Sequence, residues 1–293
     1  MTTAAEVARA FGVPYDGIKC RIPGPNRDRN DRAVVVWNAP GSPYGIRVYS
    51  HRDEPFGEIL EYISTRVPLA KSKPDTELAR QHERKSRQQQ AAKEKNNRQL
   101  CQFYWRDSWP IVGTPANSYL RSRGLHPPYF LDLRYHPDPP GQGRDVCGAM
   151  IAKVVNWPAR RATGIHLTYV YASGRKARRV AVQKRMYGTI RGSGVWPLER
   201  GAVIGMAEGI ETALSFQLQT GIPTVAALSA GNLCSIQIPD DIARIVFAID
   251  NDESGVGLKK AEQAARMHWR RGRTIEGVMP EARGDFNDIW RLA

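Results

Sequence analysis

The last hundred residues of this chain repeat one pattern, in which a short apolar run ends at an acidic or small polar turn. The runs occupy residues 202–207, 224–228, 244–249 and 274–279, and segments with helical spacing separate them, most clearly over 256–271. Short apolar strands alternating with helices are typical of a parallel sheet covered by helices on both faces. The sequence therefore predicts an α/β domain with a four-stranded parallel sheet and flanking helices over residues 199–293.

Acidic side chains follow three of these four predicted strands. Glu208 follows the first strand, Asp250 and Asp252 follow the third, and Asp285 and Asp288 follow the fourth. Ligands of parallel sheets bind outside the carboxyl ends of the strands, so we expect these carboxylates to gather there. Gathered carboxylates repel one another unless a cation lies between them. A hard, oxygen-preferring ion such as Mg²⁺ (or Mn²⁺) meets that need, and the chemistry predicted is metal-dependent handling of phosphate groups.

Three motifs give this segment a resemblance to a known family. They are Glu208-Gly209, the Asp-x-Asp-x-x-Gly that runs from Asp250 to Gly255, and Asp285-Phe-Asn-Asp288. In this order they resemble the Toprim domain, which bacterial primases, topoisomerases and some nucleases share. Together with residues 207–212 and 227–231, they are most similar to the primase-type Toprim proteins of phages, plasmids and other mobile elements. The resemblance implies a Rossmann-like fold.

The resemblance also implies roles for the acidic residues. Glu208 is the expected acid/base residue, and Asp250 and Asp252 are the expected Mg²⁺ ligands. Either Asp285 or Asp288 completes the metal site, because the spacing allows both. Glu211 is predicted to be a first-turn helix residue favoured by the helix dipole. Residues 229–232 are compatible both with phosphate binding and with a tight turn that requires glycine.

Positive charge is concentrated in the middle of the chain. The formal net charge is +14; residues 100–198 hold 15 Lys and Arg against 4 Asp and Glu, whereas residues 199–293 hold 10 against 13. Such asymmetry predicts nucleic acid held by the basic part and presented to the acidic one. In the family resembled, a basic ridge beside the acidic site holds the template strand and incoming nucleotides. The candidates here are Lys184 and Arg185, with Arg178 and Arg179 behind them; the alternative is a solvated hairpin tip.

The basic segment, residues 100–198, is predicted to be an α+β subdomain similar to the N-terminal half of a primase catalytic core. A helix is expected over 100–109 with Phe103 and Tyr104 facing inward, and a second over 115–123 that stops at Gly124. Strands are expected over 149–155 and 165–171, followed by a turn at Ser173-Gly174.

The first hundred residues divide into two predicted parts. Residues 1–70 form a small α+β segment similar in layout to the zinc-ribbon module of many primases. Only Cys20 and His51 are candidate ligands there, and two ligands do not make a tetrahedral site, so no zinc is expected. Residues 71–99 are basic and lack aromatic residues, which predicts a solvated helix or a disordered linker.

Several protein classes are disfavoured by what the sequence lacks. It has no apolar run of 18 residues and no signal-peptide pattern at its beginning, and its four cysteines are scattered. We therefore expect no membrane partner and a cytoplasmic location. No Gly-x-x-x-x-Gly-Lys-Ser/Thr loop is present, so a helicase motor is expected only as a separately encoded partner. No nucleophilic tyrosine is obvious, which disfavours strand passage.

The function that these patterns favour is RNA primer synthesis on single-stranded DNA from nucleoside triphosphates, by Mg²⁺-dependent nucleotidyl transfer. One alternative is a metal-dependent Toprim nuclease that uses the same acids to activate water. The other is a non-catalytic nucleic-acid-binding module that partners a helicase or relaxase.

Overall fold

A computed structural model of the chain describes residues 1–52, 54–71, 76–141, 148–177, 183–253 and 255–290. The chain divides into two compact units, Met1–Ala92 and Lys93–Ala293. One long helix, α3 (Thr76–Arg106), contains the boundary between them. Of the two alternatives for residues 71–99, the helix is therefore the one observed, from Thr76 onward.

The first unit is a three-stranded antiparallel sheet with two further helices, in the strand order β1-β2-β3. Its elements are α1 (Ala4–Phe11), β1 (Lys19–Ile22), β2 (Val34–Asn38), β3 (Ile46–Ser50) and α2 (Phe56–Ser64). Cys20 is only 2% exposed and packs in the core of this unit, where burial raises the pKa of its thiol to about 11. His51 lies at the surface. Cys20 therefore behaves as a small apolar side chain, and the likeness to a zinc ribbon is not confirmed.

A capping box starts α1. The Thr3 hydroxyl accepts from the backbone N–H of Glu6 at 3.2 Å, and the Glu6 carboxylate accepts from the backbone N–H of Thr3 at 2.8 Å. We expect Thr3→Ala to destabilise the start of this helix by about 1 kcal/mol. Hydrogen exchange of the α1 amides should then be roughly fivefold faster, whereas Thr3→Ser, which keeps the hydroxyl, should exchange like the wild type. Equal exchange in all three proteins would contradict the prediction.

The second unit begins with an antiparallel sheet in the order β4-β5-β6-β7-β8, with β9 paired to β6. Its elements are β4 (Trp109–Pro110), α4 (Pro115–Ser122), β5 (Leu133–His136), β6 (Ala149–Asn156), β7 (Ala162–Tyr169), β8 (Lys184–Gly188) and β9 (Ser193–Gly194). The expected inward position of Phe103 is wrong, because 49% of this residue is exposed. Cys101 is buried instead and Tyr104 is half-buried against the same cluster, since only one face of α3 meets the sheet.

A four-stranded parallel sheet in the order β11-β10-β12-β13 forms the C-terminal part, which confirms the predicted α/β sheet with flanking helices. Its strands are β10 (Val203–Ala207), β11 (Thr224–Ala226), β12 (Arg244–Ala248) and β13 (Thr274–Val278). Its helices are α5 (Ile210–Thr220), α6 (Ala230–Leu233), α7 (Val256–Trp269) and α8 (Phe286–Trp290). Gly231 lies inside α6 and has no positive φ, so of the two alternatives for residues 229–232 the tight turn that requires glycine is not observed.

The basic sheet and the parallel sheet pack as one body. Val195 and Ala226 exchange two backbone hydrogen bonds of 2.9 Å, which cover the β11 edge of the parallel sheet. One hydrophobic cluster contains Tyr119 and Leu120 of α4 together with Phe216 of α5 and other residues of the C-terminal part. This shared core holds side chains of the basic sheet beside the carboxyl ends of the parallel strands. No helix within the described ranges has the length and apolar character that spanning a membrane requires.

Candidate active site

Glu208 and Asp250 lie side by side at the carboxyl ends of β10 and β12, the two central strands of the parallel sheet. Burial, together with the negative charges of Asp285, Glu208 and Asp252, raises the pKa of Asp250 to about 7. Burial and the charge of Asp252 also raise the pKa of Glu208, although the Ala230 N–H and the Lys184 ammonium oppose that shift. The four carboxylates therefore share one electrostatic environment, as the sequence predicts.

Asp252 is placed by the beginning of α7. Its Oδ1 accepts from the backbone N–H of Gly255 at 2.9 Å, and Gly255 caps the helix with a φ of 60°. A Cβ at Gly257 would lie 4.0 Å from both Asp252 Oδ2 and Glu208 Oε2. The two carboxylates thus face the same point in front of the helix, and the glycine leaves that point open.

The loop before α8 brings Asp285 to this group. Asn251 and Gly284 exchange backbone hydrogen bonds of 2.9 and 3.0 Å, which join that loop to the Asp250–Asp252 turn. Asp285 therefore acts on the pKa of Asp250. The Asp288 carboxylate instead accepts from the Asp285 backbone N–H at 3.3 Å, and its Oδ1 lies 3.8 Å from Arg123 Nη1. In return, the Asp288 backbone N–H donates to Asp285 Oδ1 at 2.8 Å. Of the two residues, Asp285 is the one that faces the other acids.

The donor set of the cluster fits a hard divalent cation, because all of its members are carboxylate oxygens that repel one another at neutral pH. Within the described residues, no three Asp, Glu, His or Cys side chains stand close enough together to ligate an ion. Glu208, Asp250 and Gly257 line a cavity of only about 10 Å³, which is about the space that one water needs. To hold a metal ion, the carboxylate side chains would therefore have to move closer together.

Glu211 is a second acidic feature, and it is more than the first-turn helix residue that the sequence predicts. It does lie in the first turn of α5, but it is 4% exposed and binds two side chains of the basic part. The Tyr119 hydroxyl donates to Oε1 at 2.7 Å, and Lys184 Nζ donates to Oε2 at 3.4 Å. Although burial alone would raise the pKa of Glu211, Lys184 and Tyr119 lower it to about 2.

Lys184 connects the basic sheet to the acidic cluster. Its side chain is 38% exposed, pairs with Glu211, and is close enough to Glu208 to lower its pKa. Arg185 follows it on β8 and therefore points to the opposite face, where its guanidinium donates to the Tyr187 hydroxyl at 3.4 Å. The structure thus separates these two candidates: Lys184 lies beside the acids and Arg185 does not. Arg178 and Arg179 lie outside the described residues.

Arg123 is a site neighbour that the sequence analysis missed. Burial alone would lower the pKa of the Arg123 guanidinium, but the nearby Tyr119, Glu211 and Asp285 raise it. Its carbonyl accepts from the side chain of Asn287 in α8 at 2.8 Å, which fixes the end of α4 against the acidic loop. No local pattern marks this arginine, because its partners come from distant parts of the chain.

Family comparisons agree with this division of the second unit. Residues 203–293 match the Toprim domain family, and residues 95–197 match a family described as a domain of unknown function, DUF7146. The C-terminal part of the chain is therefore a Toprim domain, as its three acidic motifs predict.

Among solved structures, the chain is similar to primases at low sequence identity. With the zinc-binding and RNA polymerase domains of the Aquifex aeolicus primase, identity is 13% over 100% of this chain and 83% of that chain, with a TM-score of 0.45. With a DnaG primase catalytic domain bound to single-stranded DNA, identity is 14% over 69% and 78%, with a TM-score of 0.42. With the RNA polymerase domain of Mycobacterium tuberculosis DnaG in complex with double-stranded DNA, identity is 12% over 66% and 74%, with a TM-score of 0.43.

Proposed function

We propose that this protein is a primase-like Toprim enzyme that makes RNA primers on single-stranded DNA by Mg²⁺-dependent nucleotidyl transfer, in the cytoplasmic replication of a phage, plasmid or other mobile element. The observation that carries the proposal is that an acidic cluster and a basic side chain lie next to each other. A cluster of four carboxylates lies at the carboxyl ends of the Toprim strands, and Lys184 of the basic sheet reaches its border. Acids for a metal and a cation for phosphates are what phosphoryl transfer needs.

Each residue of the cluster has a proposed role. Asp250, Asp252 and Asp285 would hold Mg²⁺, the ion that the resemblance to the Toprim domain implies. When bound, the ion neutralises charge on the triphosphate and on its leaving group. Glu208, with its raised pKa, is suited to accept a proton from the attacking 3′-hydroxyl. The Lys184 ammonium, held by Glu211, binds the phosphates of the incoming nucleoside triphosphate.

The template strand is proposed to lie along the basic sheet. The candidates for its phosphates are Arg185, Arg178 and Arg179, and Arg185 is fixed by its bond to Tyr187. The chain has more cationic than acidic residues through this part, so binding should weaken as salt rises. A separately encoded helicase or relaxase is proposed to supply the single strand; a pull-down that recovers no replication protein would count against that partner.

The test is an assay with single-stranded DNA, labelled ribonucleoside triphosphates and Mg²⁺. Short labelled RNA is the expected product, and it should disappear with Asp250→Asn but not with Glu199→Gln. The matched control is suitable because Glu199 lies at the surface and is not one of the four clustered carboxylates. Degradation of the DNA that depends on Asp250 would assign the acids to a nuclease instead. Salt-sensitive DNA binding with neither product would leave only a binding module.

The two candidates for the last metal ligand should differ in activity. We expect Asp285→Asn to lower kcat/KM by about 100-fold or more and to raise the Mg²⁺ concentration required, because Asp285 faces Asp250. Asp288→Asn should change kcat/KM by less than about tenfold, because the Asp288 carboxylate accepts from the Asp285 N–H and faces Arg123. In either variant the asparagine side chain still has an oxygen that can accept the backbone hydrogen bond between Asp285 and Asp288, so the comparison tests the loss of the negative charge. A larger loss in Asp288→Asn would reverse the assignment.

A further inference from the structure

The C-terminal end of α7 carries an exposed aromatic ring among basic side chains. Trp269 is 70% exposed, the highest value among the large apolar side chains that the structure describes. Arg270 and Arg271 follow it directly, and both lie at the surface. Together they place an aromatic face, on which a base can stack, beside two positive charges.

A groove of about 600 Å³ runs along the same helix, and its walls are strongly basic. The cationic residues that line it are Lys259, Arg266, Arg270 and Arg271. Glu262 is the acidic residue in the lining, and it lies 3.9 Å from Arg266 in an exposed pair that contributes little. Among the described residues, no carboxylate pairs with Arg270 or Arg271. The groove therefore presents a net positive charge that phosphates would neutralise.

The turn that follows the helix is held rigidly. Arg273 is 7% exposed, and its guanidinium donates to the carbonyls of Ile238, Pro239 and Ile242, each at 3.1 Å. Gly272, with a φ of 80°, allows the chain to reverse between the helix and β13. Because Arg273 anchors this turn, Trp269 and its neighbours are presented on a fixed support, which lowers the entropy cost of binding.

This surface is separate from the acidic cluster. The beginning of α7 lies beside Asp252, and the helix has 14 residues, so its far end is about 21 Å away along the axis. At that end, the Thr274 N–H donates to the Ala243 carbonyl at 2.9 Å, just before β12 begins. Trp269 therefore lies near the amino ends of the parallel strands, opposite the carboxyl ends where the acidic cluster lies.

We propose that the end of α7 and its groove form a second binding site, for single-stranded nucleic acid. An unpaired base stacks on the Trp269 indole, and the adjoining phosphates contact Arg266, Arg270 and Arg271. Stacking requires a base that is free of its partner strand, which favours a single strand over a duplex. Arg266 lies three residues before Trp269 and four before Arg270, so its side chain is a neighbour of both on the helix surface.

The first test measures binding of a fluorescent oligodeoxythymidine by anisotropy, without metal or nucleotides. Trp269→Ala should weaken binding roughly tenfold, whereas Trp269→Phe, which keeps an aromatic face, should lose much less. Affinity falls with salt, and replacing Arg266, Arg270 and Arg271 together by glutamine should make this dependence weaker. The magnitude of the slope of log affinity against log salt should decrease by about 2. Glu262→Gln is the control of opposite sign and should strengthen binding. Affinity and slope that stay at wild-type values in all these variants would overturn the proposal.

The second test locates the contact directly. An oligonucleotide that carries 5-bromodeoxyuridine is irradiated on the full-length protein, and the crosslinked peptides are mapped. An adduct at Trp269 is expected, and adducts confined to the basic sheet would overturn the proposal. Neither experiment requires catalysis. A failure to make primers would therefore leave the second binding site intact, and the absence of this binding site would not contradict the proposed primase activity. All the substituted side chains lie at the surface, so the variants are expected to fold.

Discussion

Replacing Asp250 with asparagine is expected to abolish metal-dependent catalysis and, at the same time, to stabilise the metal-free protein. Activity should fall at least about 10³-fold, because a ligand that positions the metal is worth several kcal/mol in the transition state. In EDTA at pH 8, the free energy of unfolding should rise by roughly 2–4 kcal/mol. The reason is that Asp250 is half-buried and its pKa is raised to about 7 by burial and by Asp285, Glu208 and Asp252.

The direction of the pH dependence follows from that raised pKa. In the unfolded chain Asp250 ionises near its ordinary pKa of 3.8, whereas in the folded protein it ionises near 7. Between these values the folded state binds more protons, so wild-type stability falls as pH rises from about 4 to 7. The Asp250→Asn variant lacks this ionisable group, so its stability should not show this decrease. Adding Mg²⁺ at pH 8 should restore stability to the wild type and have a smaller effect on the variant.

Urea denaturation at several pH values, with EDTA or Mg²⁺, measures these effects. Glu199→Gln is the matched control, since it removes one exposed carboxylate from the same domain. Its unfolding free energy should follow the wild type at every pH. If Asp250→Asn also follows the wild type from pH 4 to 8 in EDTA, the carboxylates do not strain the fold and the metal site loses its main physical support.

Replacing Glu211 with alanine is expected to destabilise the second unit by about 2–4 kcal/mol at pH 7. The substitution leaves the buried Tyr119 hydroxyl without its acceptor and the Lys184 ammonium without its counter-ion. We place the effect at the lower part of the range for buried ion pairs, because the Lys184 side chain is 38% exposed and partly hydrated. Glu211→Gln should cost less, since the amide oxygen still accepts from Tyr119.

The pH dependence of this residue runs opposite to that of Asp250. Lys184 and Tyr119 hold the folded pKa of Glu211 at about 2, below its ordinary value of 4.5. Its contribution is therefore complete above about pH 4.5 and is lost as pH falls toward 2. Both Glu211 variants should show a shallower loss of stability in acid than the wild type.

A double-mutant cycle separates the ion pair from the rest of the network. Glu211→Gln, Lys184→Met and the double variant are compared by urea denaturation, with Tyr119→Phe as a test of the hydrogen bond alone. Coupling of about 1 kcal/mol or more between Glu211 and Lys184 is expected. In the primer assay, Glu211→Gln should raise KM for the nucleoside triphosphate because Lys184 is no longer held. An additive cycle with unchanged KM would show that Glu211 does not position Lys184.

Local patterns in the sequence were sufficient for the parallel sheet and for most of its acidic site. Each of the four runs is long enough for a strand. Glu208 comes directly after β10, and Asp250 and Asp252 lie in the turn after β12, so their shared position follows from sheet geometry. The same locality explains where α1 begins and ends, because Thr3 caps its start, Gly12 caps its end, and both are near neighbours of the helix in the chain.

Contacts between distant residues decided the rest. Spacing allowed Asp285 and Asp288 equally, and only the pairing of Asn251 with Gly284 turned Asp285 toward the other acids. Glu211 looked like an ordinary first-turn residue because Tyr119 is 92 positions away in the chain. The amino-acid order therefore determined which strands and acids this protein has. Tertiary packing determined which of those acids face one another, because burial and charge pairing depend on neighbours that no local pattern contains.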